Sequence, residues 1–542
     1  MPLAELVPDS PEDLGLPFPD WRKYQAEAVR DILLAYQEGY KVVLLSAPTG
    51  SGKTIIGAAV GRMLEGKALF LSHTIRLQQQ QLRTLPDART ATGRRNHPCI
   101  LTDLLGNPVD MTAEDAPCLP CPQGLSLGCP YYVQLREAGN APEAVLNYAY
   151  ALRILQSYRL KGWERNPMSG RGLMVCDEGH LLERAMVDAV AAQVRRKAFE
   201  AVGLPIPAST DQAVWYEWAG ENVGMAEDEM ESAGEGIRAA AGEGRQIEPK
   251  QYRRWKTVYN ALMNLVPLLS PDNNAPVHIQ STPEGKLVRP LWVWDLLPNK
   301  LFKHASRILI MSATLGDPEL TGKLLGLQPH EVAYIEVPST FPVENRPVFY
   351  WPVARMRYSM PEEEKVQQAR ALIELAHKFP NTPGVVHCNS FALGKFIAFA
   401  TRSLDGDVGR RLVLPSQETG PRPVEMFEKA PGNLILISPS VTTGVDWDFV
   451  GWEMIPKVPF PDLSDDVVRL RTDYVTKEGE PIGQKVYRQE AAMTVVQASG
   501  RHVRTERSKG VTVITDSAFW SLYRHLAPNA FPVWFKEAVT WK

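Results

Sequence analysis

The stretch APTGSGKT, Ala47 to Thr54, decides the fold. An apolar run, KVVLLS (41–46), precedes it, and a helical pattern, TIIGAAVGRML (54–64), follows it. A buried strand, a glycine-bearing turn and a helix, in that order, make a phosphate-binding loop. Gly50 and Gly52 let backbone N–H groups close around phosphate oxygens, with Thr49 and Ser51 between and beside them. Lys53 is placed to reach the β and γ phosphates, and the Thr54 hydroxyl suits Mg²⁺. Ala47 stands where the strict pattern has its first glycine.

Outward from this loop, short apolar runs alternate with helical patterns, as in α/β proteins. Strands are expected at 67–73, 172–176 and 307–313, and a second series at 384–388, 433–438 and 510–515. Two long insertions interrupt the first series. A hairpin turning at Pro283–Gly285 is expected within 277–295.

Two further motifs suit the phosphate end. VCDEGH (175–180) closes an apolar strand with Asp177 and Glu178. The first can hold a metal and the second can orient and deprotonate a water, since phosphoryl transfer rests on positioning and charge. A solvent-facing acidic strand end is the plainer alternative. QASGRHVR (497–504) puts Arg501 and Arg504 three apart, on one face if helical. Two guanidiniums there suit a γ-phosphate approached from a second domain; a salt-bridging surface helix is the plainer alternative.

The chain has 542 residues, 44% hydrophobic and 22% charged, with net charge −3. Enough apolar material exists for more than one core, and any polyanion must be met by a local groove rather than a global basic field. The first residues are acidic and proline-rich, without the basic and apolar regions of a signal peptide. No apolar run approaches the roughly 20 residues that span a bilayer. A cytoplasmic protein is expected.

Four of the six cysteines, Cys99, Cys118, Cys121 and Cys129, gather in one loop-like stretch. In a reducing compartment such a group points to metal rather than disulfides. Four thiolates can hold zinc or an iron–sulfur cluster, and a single short Cys-x2-Cys pair favours the cluster. Arg89, Arg94, Arg95 and His97 precede the first cysteine, and Tyr131 and Tyr132 follow the last. Basic groups beside aromatics suit single-stranded nucleic acid; core tyrosines beside an exposed basic turn are the alternative. Lys250, Tyr252, Arg253, Arg254, Trp255 and Lys256 make a second such patch, for which a solvated helix face is an equal alternative.

In this order, the motifs resemble the XPD/DinG-like iron–sulfur helicases of superfamily 2. WRKYQ (Arg22, Gln25) is similar to the family's nucleotide-adjacent motif. APTGSGKT resembles motif I, LSHTIRLQQQ motif Ia, DEGH motif II and MSATL motif III. VVHCNS resembles motif IV, SVTTGVD (with Asp446) motif V and QASGRHVR, from Gln497, motif VI. LNYAYAL and KVPFPD also match family segments, and CPYY resembles the closing signature of the cluster domain. Departures are Gly179 for alanine, Thr443 for glutamate, Ser508 for aspartate and Ala518 for arginine.

The resemblance implies two RecA-like motor domains, with an iron–sulfur insertion and a mostly helical arch-like insertion in the first. The expected divisions are 1–88, 146–188 and 277–330 for the first motor, 89–145 for the cluster domain, 189–276 for the arch and 331–542 for the second motor. It implies ATP, Mg²⁺ and a 4Fe-4S cluster as cofactors, the last on the four clustered cysteines. It implies a monomeric 5′→3′ helicase on single-stranded and forked duplex DNA, and Thr74, Arg76, Asn389, Ser390 and Thr442 as strand contacts. A DNA translocase or remodeller without strand separation shares every ATP motif. A redox sensor would need damaged catalytic motifs, and none is damaged. The compact length suits a prokaryotic cell or a phage-infected host.

Overall fold

The computed structural model describes residues 3–100, 111–117, 128–156, 166–243, 245, 249–273, 275–357, 360–415, 422–438, 447, 449–499 and 508–541. Strands in the first part are β1 (Val42–Ser46), β2 (Ala68–Ser72), β3 (Arg89–Thr90), β4 (Glu143–Asn147) and β5 (Arg171–Asp177). Then come β6 (Ala192–Arg195), β7 (Val277–Thr282), β8 (Gly285–Pro290), β9 (Ala305–Ser312) and β10 (Val332–Glu336). The second part has β11 (Val348–Ala354), β12 (Gly384–His387), β13 (Leu412–Val413), β14 (Ile435–Ser438), β15 (Trp452–Ile455), β16 (Val511–Asp516) and β17 (Val539–Trp541).

The first sheet runs β10-β1-β9-β5-β2-β4-β3, every pairing parallel. Helices cover both faces, which is why β1 is apolar throughout rather than alternating. Val42 and Leu44 enter one core, and Val43 and Leu45 the opposite one. The second sheet runs β13-β14-β12-β15-β16-β11-β17, again all parallel. These are the two expected α/β motors.

Two expected boundaries move. β10 pairs with β1 in register Val42↔Val332, so the first sheet extends past residue 330 to Glu336. The hairpin turns where expected, but β8 also pairs with β6, in register Ala192↔Val288. This three-stranded antiparallel sheet shares a core with the helices Gln212–Glu243 and Lys250–Leu269 through Val194, Trp215, Trp255, Leu262, Ile279 and Val288. The hairpin therefore packs with the helical insertion and not with the motor. Its second strand, β8, pairs antiparallel with β6, in a sheet separate from that of the first motor.

The two motors pack on each other. Leu291, Trp292, Leu320 and Leu324 meet Ile482 and Val486. Arg471 of the second motor lies 4.4 Å over the Trp292 ring and pairs with Glu183 of the first at 2.8 Å. No helix among the described residues is long and apolar enough to cross a membrane.

Candidate functional site

The C-terminal ends of β1, β9 and β5 lie side by side, in registers Ser46↔Ser312 and Asp177↔Met311. In open parallel sheets this edge is where ligands bind. β1 delivers the phosphate loop there. Gly50 has φ +82° and Gly52 φ +76°, both in the left-handed region, and helix Lys53–Met63 starts immediately after. A side chain at Gly52 would also run into the Gln25 amide.

That amide braces the loop from outside. Gln25 Nε2 donates to the Ser51 carbonyl at 2.9 Å, and its Oε1 accepts from the Arg22 N–H at 2.8 Å. Arg22 Nη1 donates to the Gly50 carbonyl at 2.8 Å. Ser51 Oγ bonds the Pro48 carbonyl at 2.8 Å, and Lys53 Nζ donates to the Ala47 carbonyl at 3.3 Å. Residues 22, 25 and 47–54 thus form one unit, as the motifs predict. Thr49 and Thr54 are half-buried on it.

Asp177 ends β5 and is only 8% exposed. Burial, and next the neighbouring Glu178, push its carboxyl up to about 6, while the Lys53 charge, the Glu178 N–H and Gln81 pull it down. Its Oδ1 accepts from the Glu178 N–H at 3.0 Å, and its Oδ2 from Gln81 Nε2 at 3.0 Å. The Tyr148 hydroxyl donates to the Asp177 carbonyl at 2.7 Å. Glu178 sits at φ +52°, which turns its carboxylate out of the strand line. A half-exposed Glu178 beside a buried Asp177 is the division of roles expected of water activation and metal holding. The oxygen donors present, one carboxylate and the Thr54 hydroxyl, fit Mg²⁺ completed by phosphates and water.

Gly179 has a packing reason. A Cβ there would meet the Ile310 side chain and lie 3.5 Å from the Met311 carbonyl. Next in the chain, His180 Nδ1 pairs with Ser312 Oγ at 2.8 Å and lies 3.4 Å from Glu178 Oε2. Burial holds the His180 ring below its ordinary pKa, so it stays neutral. Ser312 Oγ accepts from the Thr314 N–H at 3.1 Å, and Thr314 Oγ1 accepts from Gln497 Nε2 at 2.9 Å. Hydrogen bonds therefore link His180, the neighbour of Glu178, through Ser312 and Thr314 to Gln497 of the second motor. Gln497 lies near the end of helix Ile482–Ser499. Arg501, Arg504, Asp446 and Thr442 lie outside the described residues.

At the same sheet edges, Thr74 and Ser390 each cap a helix, accepting from Leu77 N and Leu393 N at 3.2 Å. Both are exposed, as are Arg76 and Asn389. Asn389 has φ +59° and its amide reaches the Phe460 carbonyl at 3.5 Å.

Of the cysteines, Cys118 and Cys121 lie outside the described residues. Cys99 is half-buried, and its N–H bonds the Met111 carbonyl at 2.7 Å. Cys129 is buried and directly precedes helix Pro130–Asn140. Ile100 packs against the same core that contains Cys129, and neither thiol is in a disulfide. Among the described residues no group of three or more His, Cys, Asp or Glu stands close enough to hold a metal.

The aromatic halves of both basic–aromatic patches are core residues. Tyr131 and Tyr132 are 3% and 7% exposed, and Arg94 lies 5.1 Å over the Tyr131 ring and bonds the Tyr132 hydroxyl at 3.2 Å. Tyr252 and Trp255 are buried too. Arg253 makes a two-pronged contact with Asp115, at 2.8 and 3.0 Å, and Lys256 donates to the Glu114 carbonyl. These cations tie the helical insertion to the cysteine segment. Arg89, Arg95 and Lys250 remain exposed.

Sequence reasoning assigned no role to Gln81, Tyr148, His180, Ser312 or Arg471. Motif III contained Ser312 and Thr314, but their partners lie 132 and 183 residues away, and spacing gives no sign of that.

Fold and site together are those of two parallel-sheet α/β domains with a phosphate-binding loop at the edge of the first, an arrangement similar to that of superfamily 2 helicases. Residues 373–537 match the helicase C-terminal domain model, and residues 18–113 match the model of the type III restriction enzyme res subunit. Over nearly its whole length the chain follows the fold of solved XPD helicases. A solved XPD helicase superposes with TM-score 0.59 at 18% identity, covering 96% of this chain and 99% of that one. The S. tokodaii Xpd4 structure gives 0.57 at 15% identity, covering 96% and 100%. No curated protein matches the sequence.

Proposed function

We propose that the chain is an ATP-driven DNA helicase that moves 5′→3′ on a single strand and parts a forked duplex beside the cysteine segment. The observation that carries the reading is the chain of hydrogen bonds from His180, whose Nδ1 lies 3.4 Å from Glu178, through Ser312 and Thr314 to Gln497. It ties the residue placed to activate water to the second motor, which is what a motor needs to turn hydrolysis into relative movement.

In this reading Lys53 and the loop N–H groups bind the β and γ phosphates. Arg22 and Gln25 hold the loop in shape. Asp177 and Thr54 hold Mg²⁺, which when bound offsets the phosphate charge. Glu178 takes a proton from the attacking water, and Arg501 and Arg504 meet the γ-phosphate from the second motor. The exposed residues Thr74, Arg76, Asn389 and Ser390 lie along the strand path. Cys99, Cys118, Cys121 and Cys129 hold a 4Fe-4S cluster that staples a segment too loop-rich to build its own core. The motor acts as a monomer.

ATP turnover with and without single-stranded DNA is the direct test. Strong stimulation by the strand supports the reading, and turnover indifferent to it contradicts the reading.

A further inference from the structure

Gln81 lies on helix Ile75–Thr84, in the second turn of an element whose start, from Thr74 to Arg76, is exposed at the candidate strand path. It is 3% exposed. A buried amide in a helix costs free energy unless its hydrogen bonds are made. Its Nε2 makes one, to Asp177 Oδ2 at 3.0 Å, and its Oε1 is buried with no partner among the described residues. A leucine would fill this place without that cost. The donor to Asp177 is the one feature of Gln81 that leucine lacks.

The rest of the helix shows what this donor is attached to. Gln78, one turn earlier and also buried, donates to Thr90 Oγ1 at 2.6 Å and to the Val145 carbonyl at 3.1 Å, and accepts from Asn147 Nδ2 at 3.3 Å. Thr90 and Val145 lie on β3 and β4, the strands that enter and leave the cysteine segment. One rigid helix therefore carries Thr74 and Arg76 at its start, grips the root of that segment in its middle, and ends on the Asp177 carboxylate. About 9 Å of helix separates Ile75 from Gln81.

We infer that Gln81 is a positioning residue. It fixes the Asp177 carboxylate, whose other oxygen is held by the Glu178 N–H, in the orientation that takes a divalent cation, and it makes that orientation depend on what occupies the start of its helix. Strand binding at Thr74 and Arg76 then tightens the metal site. The inference rests on the proposed function, which supplies the strand and the metal.

The test uses the full chain with Gln81→Leu, and with Gln81→Met in case leucine is poorly tolerated. Mn²⁺ affinity is measured by electron paramagnetic resonance with ADP bound, with and without single-stranded oligonucleotide. Removing a group that orients a metal ligand weakens metal binding by about 10–100-fold. The expected result is Mn²⁺ affinity weaker by about 10-fold or more and no longer tightened by the oligonucleotide. Metal-free nucleotide affinity, oligonucleotide affinity and melting temperature stay near wild type. Unchanged Mn²⁺ affinity in a folded variant overturns the inference, as does a loss matched by an equal fall in metal-free nucleotide affinity. Wild-type protein whose ATP turnover ignores the oligonucleotide would instead overturn the helicase reading, so the two failures are distinct.

Discussion

Gln497 of the second motor donates to Thr314 Oγ1 of the first at 2.9 Å, and Thr314 N in turn donates to Ser312 Oγ at 3.1 Å. Thr314 thereby links Gln497 of the second motor to Ser312, whose hydroxyl pairs with His180 beside Glu178. Thr314 is buried, so its bond to Gln497 is protected from competition by water and holds only while the domains keep this spacing.

Replacing Thr314 by valine keeps the shape and removes the acceptor. A hydrogen bond of this kind contributes about 0.5–1.5 kcal/mol net. DNA-stimulated ATP turnover is expected to fall by about 2–10-fold, with unstimulated turnover and ATP affinity little changed. Steady-state turnover at saturating ATP, with and without oligonucleotide, measures the split. An equal loss in both conditions would show that Thr314 serves the first motor alone.

Lys53→Ala and Glu178→Gln act on charge at the phosphates and on the attacking water. Loss of a positioned base costs about 10²–10⁴-fold, and turnover in Glu178→Gln should fall within that range while ATP still binds. Lys53→Ala should lose both turnover and nucleotide affinity. Fluorescent-nucleotide binding beside a phosphate-release assay separates the two.

Gly179→Ala restores the residue common in the resembling family, yet a Cβ there meets Ile310. Overpacking of this kind costs about 1–3 kcal/mol, so melting temperature and the Asp177–Glu178 geometry should both suffer. The penalty should shrink in an Ile310→Ala background. A double-mutant cycle on chemical unfolding checks it, and additive effects would place the strain elsewhere.

Cys118→Ser removes one of the four proposed cluster ligands. One face of the first sheet and both faces of the second pack in cores without cysteine-segment residues, so the fold and basal ATP turnover should persist. Iron and acid-labile sulfide, measured on protein purified without oxygen, should fall from cluster stoichiometry to near zero. Stoichiometric zinc without sulfide in the wild type would replace the cluster by a zinc site.

The parts of the site that were legible in the sequence are local ones. Strand 42–46, the loop 47–54 and the following helix are contiguous, so periodicity and glycine placement suffice to read them. The same holds for Asp177 and Glu178 at a strand end. Tyr131, Tyr132, Tyr252 and Trp255 could not be placed that way. An aromatic beside a cation reads identically whether it faces solvent or core, and only tertiary packing shows these four buried. Arg253 reads as a strand contact or a solvated helix face until Asp115, 138 residues away, is seen to hold it. Gln81 is hidden in a run of four glutamines, 78–81, where only helical phase tells the two buried amides from the two exposed ones. β4 (EAVLN) and β10 (VAYIE) are as long as β1 but were missed, because each carries a glutamate that shortens the apolar run and lies near or at the sheet edge.

The central claim is that this chain converts ATP hydrolysis into strand separation. Its most direct measurement is strand displacement on forked duplexes that carry a single-stranded tail at either the 5′ or the 3′ end, with protein purified without oxygen. The account predicts ATP-dependent opening of the 5′-tailed fork, none with Glu178→Gln, and little with the 3′ tail alone. DNA-stimulated hydrolysis that opens neither substrate, or opening that requires only the 3′ tail, would contradict it.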